Sequence, residues 1–230
     1  MAACYFDVDG TLLSTSLIQP TLYYLLNQPS PLESLRRLAR ATIDAPRLAW
    51  AELRDRRAFN ELLFSCFRGM SEDRLVVLAG EVVSKVLEPA LFPAARDLVT
   101  RCLDRGDEVV LVSGALDVHM RLLAGRLGAH DVIANHLEIK DGHATGRLSR
   151  PVVAGPEKAV LIRDHARRRG HDLAECSAFS DSYSDVPMLS VVGHPAAVNP
   201  DVRLEHLART YAWPIVRLRA GVTAPLGVPT

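Results

Sequence analysis

Cysteine is scarce in this 230-residue chain, and the four present are scattered. Cys4, Cys66, Cys102 and Cys176 contain no Cys-x-x-Cys spacing, which argues against a zinc ribbon and against a disulfide framework. Isolated thiols fit a reducing, cytoplasmic setting. An excess of either charge is also missing. The 27 Lys and Arg balance 27 Asp and Glu, so no global field draws the protein to nucleic acid or to anionic lipid. No apolar run is long enough to insert stably in a membrane, and the first residues enter a strand without a basic leader. With 48% hydrophobic residues, the chain is expected to fold around one large core or a core plus an insert. No motif speaks to oligomeric state.

The informative stretch is Asp7-Val8-Asp9-Gly10-Thr11-Leu12-Leu13, directly after the apolar run Ala3-Cys4-Tyr5-Phe6. The run reads as a buried strand. On a continuing strand, Asp7 and Asp9 share a face while Val8 points the other way; leaving the strand there, with Gly10 permitting a sharp turn, brings both carboxylates into one loop. Ligands of open α/β sheets bind beyond the carboxyl ends of strands. Asp and Gly are also ordinary turn formers, so this stretch needs support from elsewhere in the chain.

Residues 15–88 carry helical spacing throughout, with no strand alternation. Leu17 to Leu26 is an apolar helical stretch, and Ser71 with Glu72 and Asp73 looks like an N-cap followed by an acidic first turn. The segment carries many arginines, among them Arg36, Arg37, Arg54, Arg56 and Arg57, read as a solvated helix face or as a basic rim that attracts an anionic substrate. Beyond Pro89, strands are expected at Glu108–Val112, Asp131–Ala134, Ala174–Ser180 and His194–Val198, with an edge strand near Trp213–Val216. Helices are expected between them, and His136 to Leu148 reads as a hairpin turning at Asp141-Gly142. Strands alternating with helices imply an α/β, Rossmann-like parallel sheet with helices on both faces. The expected division is a discontinuous core of residues 1–14 plus 89–217, an inserted all-helical cap at 15–88, and a flexible tail at 218–230.

Polar groups recur where strands end or helices begin: Asp7 and Asp9, then Ser113 and Gly114, then Lys158, then Asp181 and Asp185. In a parallel sheet these points share one edge. Carboxylates crowded together raise one another's pKa, and a divalent cation relieves them. Mg²⁺ takes oxygen ligands and substrate phosphate together. A hydroxyl, a backbone N–H and a lysine suit phosphoryl oxygens. The residues therefore point to metal-assisted phosphoryl transfer on a small phosphorylated substrate.

These stretches resemble the four motifs of the haloacid dehalogenase-like superfamily, in its phosphoserine-phosphatase-like branch. Asp-Val-Asp-Gly-Thr-Leu at 7–12 is similar to the first motif and Val112-Ser113-Gly114 to the second. Lys158 in Gly-Pro-Glu-Lys is similar to the third, and Ser-Asp181-Ser-Tyr-Ser-Asp185 to the fourth. The resemblance implies Asp7 as a nucleophile that becomes an aspartyl phosphate, and Asp9 as acid and then base. It implies Mg²⁺ held by Asp7, the Asp9 carbonyl and Asp181, with Asp185 supporting, and Ser113, Gly114 and Lys158 on the phosphoryl group. A carboxylate at position 9 favours a phosphatase, or a phosphotransferase with an alcohol acceptor; a phosphoacceptor switch without catalysis is the other class. By simple counting, Ser16 stands where true phosphoserine phosphatases hold the substrate amine with a glutamate, and their cap arginine falls near Cys66, with Arg68 close by. Phosphoserine is therefore disfavoured as the substrate.

Overall fold

A computed structural model describes residues 2–218, the side chains of Arg40, Glu52 and Leu53 apart. The tail expected at 218–230 lies outside them from residue 219 onward. The chain begins with β1 (Ala3–Phe6), which is buried along its whole length. Its side chains alternate between two apolar clusters, Cys4 and Phe6 in one and Ala3 and Tyr5 in the other. This period-two division makes β1 the centre of a sheet covered on both faces.

After β1 come helices α1 (Ile18–Leu26), α2 (Pro31–Arg54), α3 (Arg56–Phe64) and α4 (Glu72–Val82). The N-cap of α4 is Ser71, whose hydroxyl accepts the Arg74 N–H. Their apolar faces join the cluster that includes Phe6, through Tyr24, Ala51, Phe59, Leu63 and Leu78. The core then runs through α5 (Ala95–Asp104), β2 (Glu108–Leu116), α6 (Asp117–Leu127) and β3 (Asp131–Asn135). A hairpin of β4 (Leu137–Lys140) and β5 (His143–Leu148) follows, then α7 (Pro156–Arg169), β6 (Ser177–Ser180), α8 (Val186–Leu189), β7 (His194–Val198), α9 (Val202–Thr210) and β8 (Ile215–Val216).

Among the described residues, six strands form one sheet in the order β3-β2-β1-β6-β7-β8, and each neighbouring pair is parallel. The chain builds outward from β1 on one side through β2 and β3. It then crosses back to lay β6 on the other side. The reversal between β1 and β6 opens a crevice beyond their carboxyl ends, where Asp7 and Asp181 stand.

Two local readings change. The second strand does not stop at Val112 but continues to Leu116, with a register shift between Ser113 and Leu116 against β3. Such a bulge turns backbone groups away from the ladder. The strand expected from Ala174 starts only at Ser177, because the Asp172 carboxylate accepts the Ala174 N–H in a turn. The hairpin is not isolated from the helical segment. The Gly69 N–H donates to the Ala144 carbonyl and the Ala144 N–H to that of Met70, both at 2.8 Å. No helix among the described residues is long and apolar enough to cross a membrane.

Candidate active site

The loop after β1 starts with a hydrogen bond from the Asp7 N–H to the Phe179 carbonyl, 2.9 Å away on β6. Phe6 stacks on Phe179 with ring centroids 4.4 Å apart, so the strand that delivers Asp7 is locked to the strand that delivers Asp181. Gly10 then takes φ +82°, and a Cβ built there would lie 2.1 Å from Asp181 Oδ2. Glycine at this position lets the loop turn and lets the Asp181 carboxylate come in beside Asp7.

Thr11 ties the two acids together. Its hydroxyl lies 3.0 Å from Asp7 Oδ2 and 3.2 Å from Asp181 Oδ1. The other oxygen of Asp7 accepts from Lys158 Nζ at 2.6 Å. Lys158 comes from the first turn of α7, and its Nζ also donates to Asp185 Oδ2 at 2.7 Å. Asp185 precedes α8 but makes no capping bond to that helix. Its carboxylate instead receives Lys158 and, at 2.9 Å, the Ser180 hydroxyl. Asp9 accepts from the Thr15 hydroxyl at 3.2 Å.

The charge balance of this group is unusual. Burial raises the pKa of Asp7, and Lys158 opposes the rise. Burial, with Asp7 adding to it, pushes Asp9 up to about 7. Burial and then the charges of Asp7 and Asp185 push Asp181 up to about 8. Burial would lower Lys158, but Asp185 and Asp7 outweigh it and keep the ammonium charged. One buried ammonium does not neutralise four neighbouring carboxyls. A divalent cation with oxygen ligands fits this donor set, and the space that a Cβ at residue 10 would take is where Asp181 needs to sit.

Gly114 borders the cleft with Asp7, Asp9, Lys158, Asp181 and Asp185. The cleft encloses about 90 Å³, several times the roughly 10–15 Å³ that a single water needs on this measure. Ser113 is fully buried, and its Oγ accepts the Ala115 N–H at 3.0 Å within the bulge. It stands beside the cleft rather than on its wall, while Gly114 forms part of the wall.

Several residues of the site were not legible beforehand. Asn135, at the end of β3, donates to the Gly114 carbonyl at 2.7 Å and accepts the Val153 N–H at 2.8 Å. It holds the bulge and the loop before α7 in one piece. From α3, Asn60 reaches across to the Val153 carbonyl at 3.3 Å, and Arg56 lines the cleft mouth. The only available signal was that 56 and 60 lie four apart, on one helix face. Ser16 instead bonds Gln19, and Arg68 is directed to the Thr145 carbonyl of the hairpin. The arginine facing the cleft is thus Arg56 and not one near Cys66. The basic helical segment is mixed: Arg37 and Arg57 pair with Glu33 and Glu61, while Arg56 serves the cleft.

Comparison with known proteins places this arrangement. Residues 4–190 match the family model described as haloacid dehalogenase-like hydrolase. The phosphoserine phosphatase SerB1 of Mycobacterium tuberculosis is 39% identical over 163 residues, covering 70% of this chain and 53% of that protein. The inhibition of morphological differentiation protein of Streptomyces azureus is 30% identical over 233 residues, covering 99% and 82%. A crystal structure of a Bordetella pertussis protein with unknown function superposes with a TM-score of 0.79 at 27% identity, covering 94% and 98%. The chain spans about half the length of the first of these curated relatives.

Proposed function

The chain belongs to the haloacid dehalogenase-like hydrolase family, and from that premise we propose that it hydrolyses a small phosphomonoester by way of a phosphoryl group carried on Asp7. The observation that carries this reading is the buried Lys158 ammonium fixed at once to Asp7 and Asp185. It holds one Asp7 oxygen in place and puts positive charge where phosphoryl oxygens have to pack.

Asp7 attacks phosphorus in line, and the bond to the leaving alkoxide breaks. Asp9, able to hold a proton near neutral pH, gives that proton to the leaving oxygen. It then takes a proton from water, which attacks the aspartyl phosphate, releases inorganic phosphate and restores the Asp7 carboxylate. Gly114, on the cleft wall, supplies a backbone donor to the phosphoryl oxygens, and Ser113, buried beside it, braces the bulge by accepting the Ala115 N–H. Mg²⁺ held by Asp7, Asp181 and the Asp9 carbonyl, with Asp185 supporting, would supply charge neutralisation for the transferring group.

The cleft walls also bear on the substrate. Leu17, Arg56 and Asn60 face it from the helical segment, and none of them is a carboxylate. An ammonium on the leaving group would be left unmatched, and an unpaired buried charge is costly. An anionic group finds Arg56. We therefore read the substrate as a phosphomonoester whose alcohol part carries an acid and no amine, in spite of the name of the mycobacterial relative. Arg56→Ala is expected to raise KM about tenfold for such a substrate with little change in kcat. An equal loss on a neutral phosphomonoester would assign Arg56 another task.

The testing experiment is a phosphomonoester panel containing phosphoserine and phosphorylated hydroxy acids, run with Mg²⁺ and after chelation. Turnover should vanish on chelation and return with Mg²⁺, and phosphoserine should not rank first. Product phosphate appearing only after a long-lived phosphoprotein builds up would instead favour the switch.

Gly10→Ala gives a second check on the metal-bearing loop. The residue must hold a positive φ, at roughly 1–2 kcal/mol, and its methyl group displaces the Asp181 carboxylate. Half-saturating Mg²⁺ should rise at least tenfold. An unchanged Mg²⁺ requirement would remove Asp181 from the ligand set.

A further inference from the structure

Among the described residues, two trios of side chains each bring potential ligand atoms within 4.8 Å of one another: Cys4, Cys102 and Asp107, and Glu108, Asp131 and His165. Both lie at the amino-terminal edge of the sheet, away from the cleft. Glu108 opens β2 opposite Ala3, and Asp131 opens β3 opposite Val110. The thiol trio is already engaged, since Arg105 reaches both sulfurs and Cys4 bonds Asp107.

The second trio contains an unmet demand. His165, on α7, is 1% exposed. Its Nδ1 lies 3.1 Å from the Tyr5 hydroxyl, while its Nε2 is buried with no hydrogen-bond partner. That Nε2 faces Asp131 Oδ2 at 3.4 Å and Glu108 Oε1 at 3.9 Å. We propose that His165, Asp131 and Glu108 form a second divalent-cation site, distinct from the cleft and suited to a transition ion of the Zn²⁺ type.

The spacing supports this. Bonds of roughly 2.0–2.2 Å in a tetrahedral site put neighbouring ligand atoms about 3.4 Å apart. One of the two separations from Nε2 already has this value, and the other needs to close by a few tenths of an ångström. Each ligand is also oriented from behind. Asp131 Oδ1 accepts the Val132 N–H at 2.7 Å, which leaves Oδ2 for the ion. The Tyr5 hydroxyl can accept Nδ1–H, which fixes the tautomer that frees Nε2. The Asp131 side chain is 42% exposed, so solvent can reach the remaining coordination position. An imidazole nitrogen between two carboxylates prefers Zn²⁺ to Mg²⁺, whereas the oxygen-lined cleft is held by Mg²⁺ when that ion is in large excess.

Arg169 acts against the cation. Its guanidinium forks onto Glu108 at 2.5 and 2.9 Å, and its side chain is half exposed. His171 Nε2 lies 2.6 Å from the other Glu108 oxygen. An ion at the trio must share Glu108 with Arg169, which tunes its affinity. Occupancy would tie β2, β3 and α7 together at the edge opposite the chemistry.

The test uses the full chain stripped of metal, titrated with Zn²⁺ against a chromophoric chelator in excess Mg²⁺. Wild type should take up one equivalent. Asp131→Asn, a change at a half-exposed position that does not threaten the core, should bind that equivalent at least tenfold more weakly and keep its Mg²⁺-supported phosphatase turnover. Arg169→Gln should bind several-fold more tightly. The proposal is overturned if wild type takes up no Zn²⁺, or if wild type and Asp131→Asn bind it alike. Because the readout is Zn²⁺ affinity, it stands or falls separately from the phosphatase reading.

Discussion

Asp7→Asn is expected to lower turnover by about 10⁴-fold or more while leaving the protein folded. The amide keeps the shape of the carboxyl but is no nucleophile toward phosphorus, and losing a covalent nucleophile has effects of this order. Stability should move little or even rise. Asp7 is a buried acid whose charge raises the pKa of both Asp9 and Asp181. Replacing it with a neutral side chain removes that repulsion, and Lys158 keeps Asp185 as a partner. Such a trade of stability for activity is common where a site crowds like charges. The measurement is a pair: initial rates on the best substrate of the panel, and Tm by calorimetry without metal. Turnover within tenfold of wild type would place the phosphoryl acceptor elsewhere. A large fall in Tm would mean that Asp7 is a structural anchor.

Lys158→Met should behave in the opposite sense, damaging both fold and activity. The ammonium is buried and contacts Asp7 and Asp185. Removing one partner of a buried pair costs about 3–5 kcal/mol, which for a chain of this size is roughly 10 °C in Tm. Asp7 and Asp181 already have raised pKa values, so they can bind protons when the lysine is gone, and the loss belongs at the low end of that range. Turnover should fall about 10²- to 10³-fold, as when one preorganised donor is removed from a reacting group. Mg²⁺ should restore part of the stability and little of the rate. Melting and kinetics with and without Mg²⁺ check this. A variant as stable and as active as wild type would mean that Lys158 is a bystander.

The two substitutions divide the site into its reacting and supporting parts. On the proposed mechanism Asp7 and Asp9 carry the chemistry, and the rest of the fold does not need it. Lys158, Asp185, Ser180 and Thr11 form the hydrogen-bonded frame that keeps those acids close. Asn135 extends that frame to the bulge at Gly114 and to the Val153 loop. The helical segment contributes Arg56 and Asn60 to the lining of the cleft.

The residues that gather at or beside the cleft were legible in the sequence because each stands in a local context with its own signal. Asp7 and Asp9 follow an apolar strand and precede a glycine. Ser113 and Gly114 come where a run of valines ends, Lys158 opens a helix after Gly-Pro, and Asp181 follows another buried strand. Strand and helix periodicity depends on near neighbours, so the α/β pattern and the helical insert could be read without coordinates. What lies far apart in sequence could not be read this way. The order β3-β2-β1-β6-β7-β8, which puts Asp7 and Asp181 on adjacent strands, follows from packing two faces of one sheet. The bulge that frees Gly114 depends on Asn135. The selection of Arg56 rather than Arg68 depends on how α3 lies over the cleft, and the trio of Glu108, Asp131 and His165 is assembled from two strand starts and a helix. Local sequence determined which polar groups stand at strand ends and helix starts. Only tertiary structure decided which of them meet, because contact between distant residues is set by burial and strand order and not by the spacing along the chain.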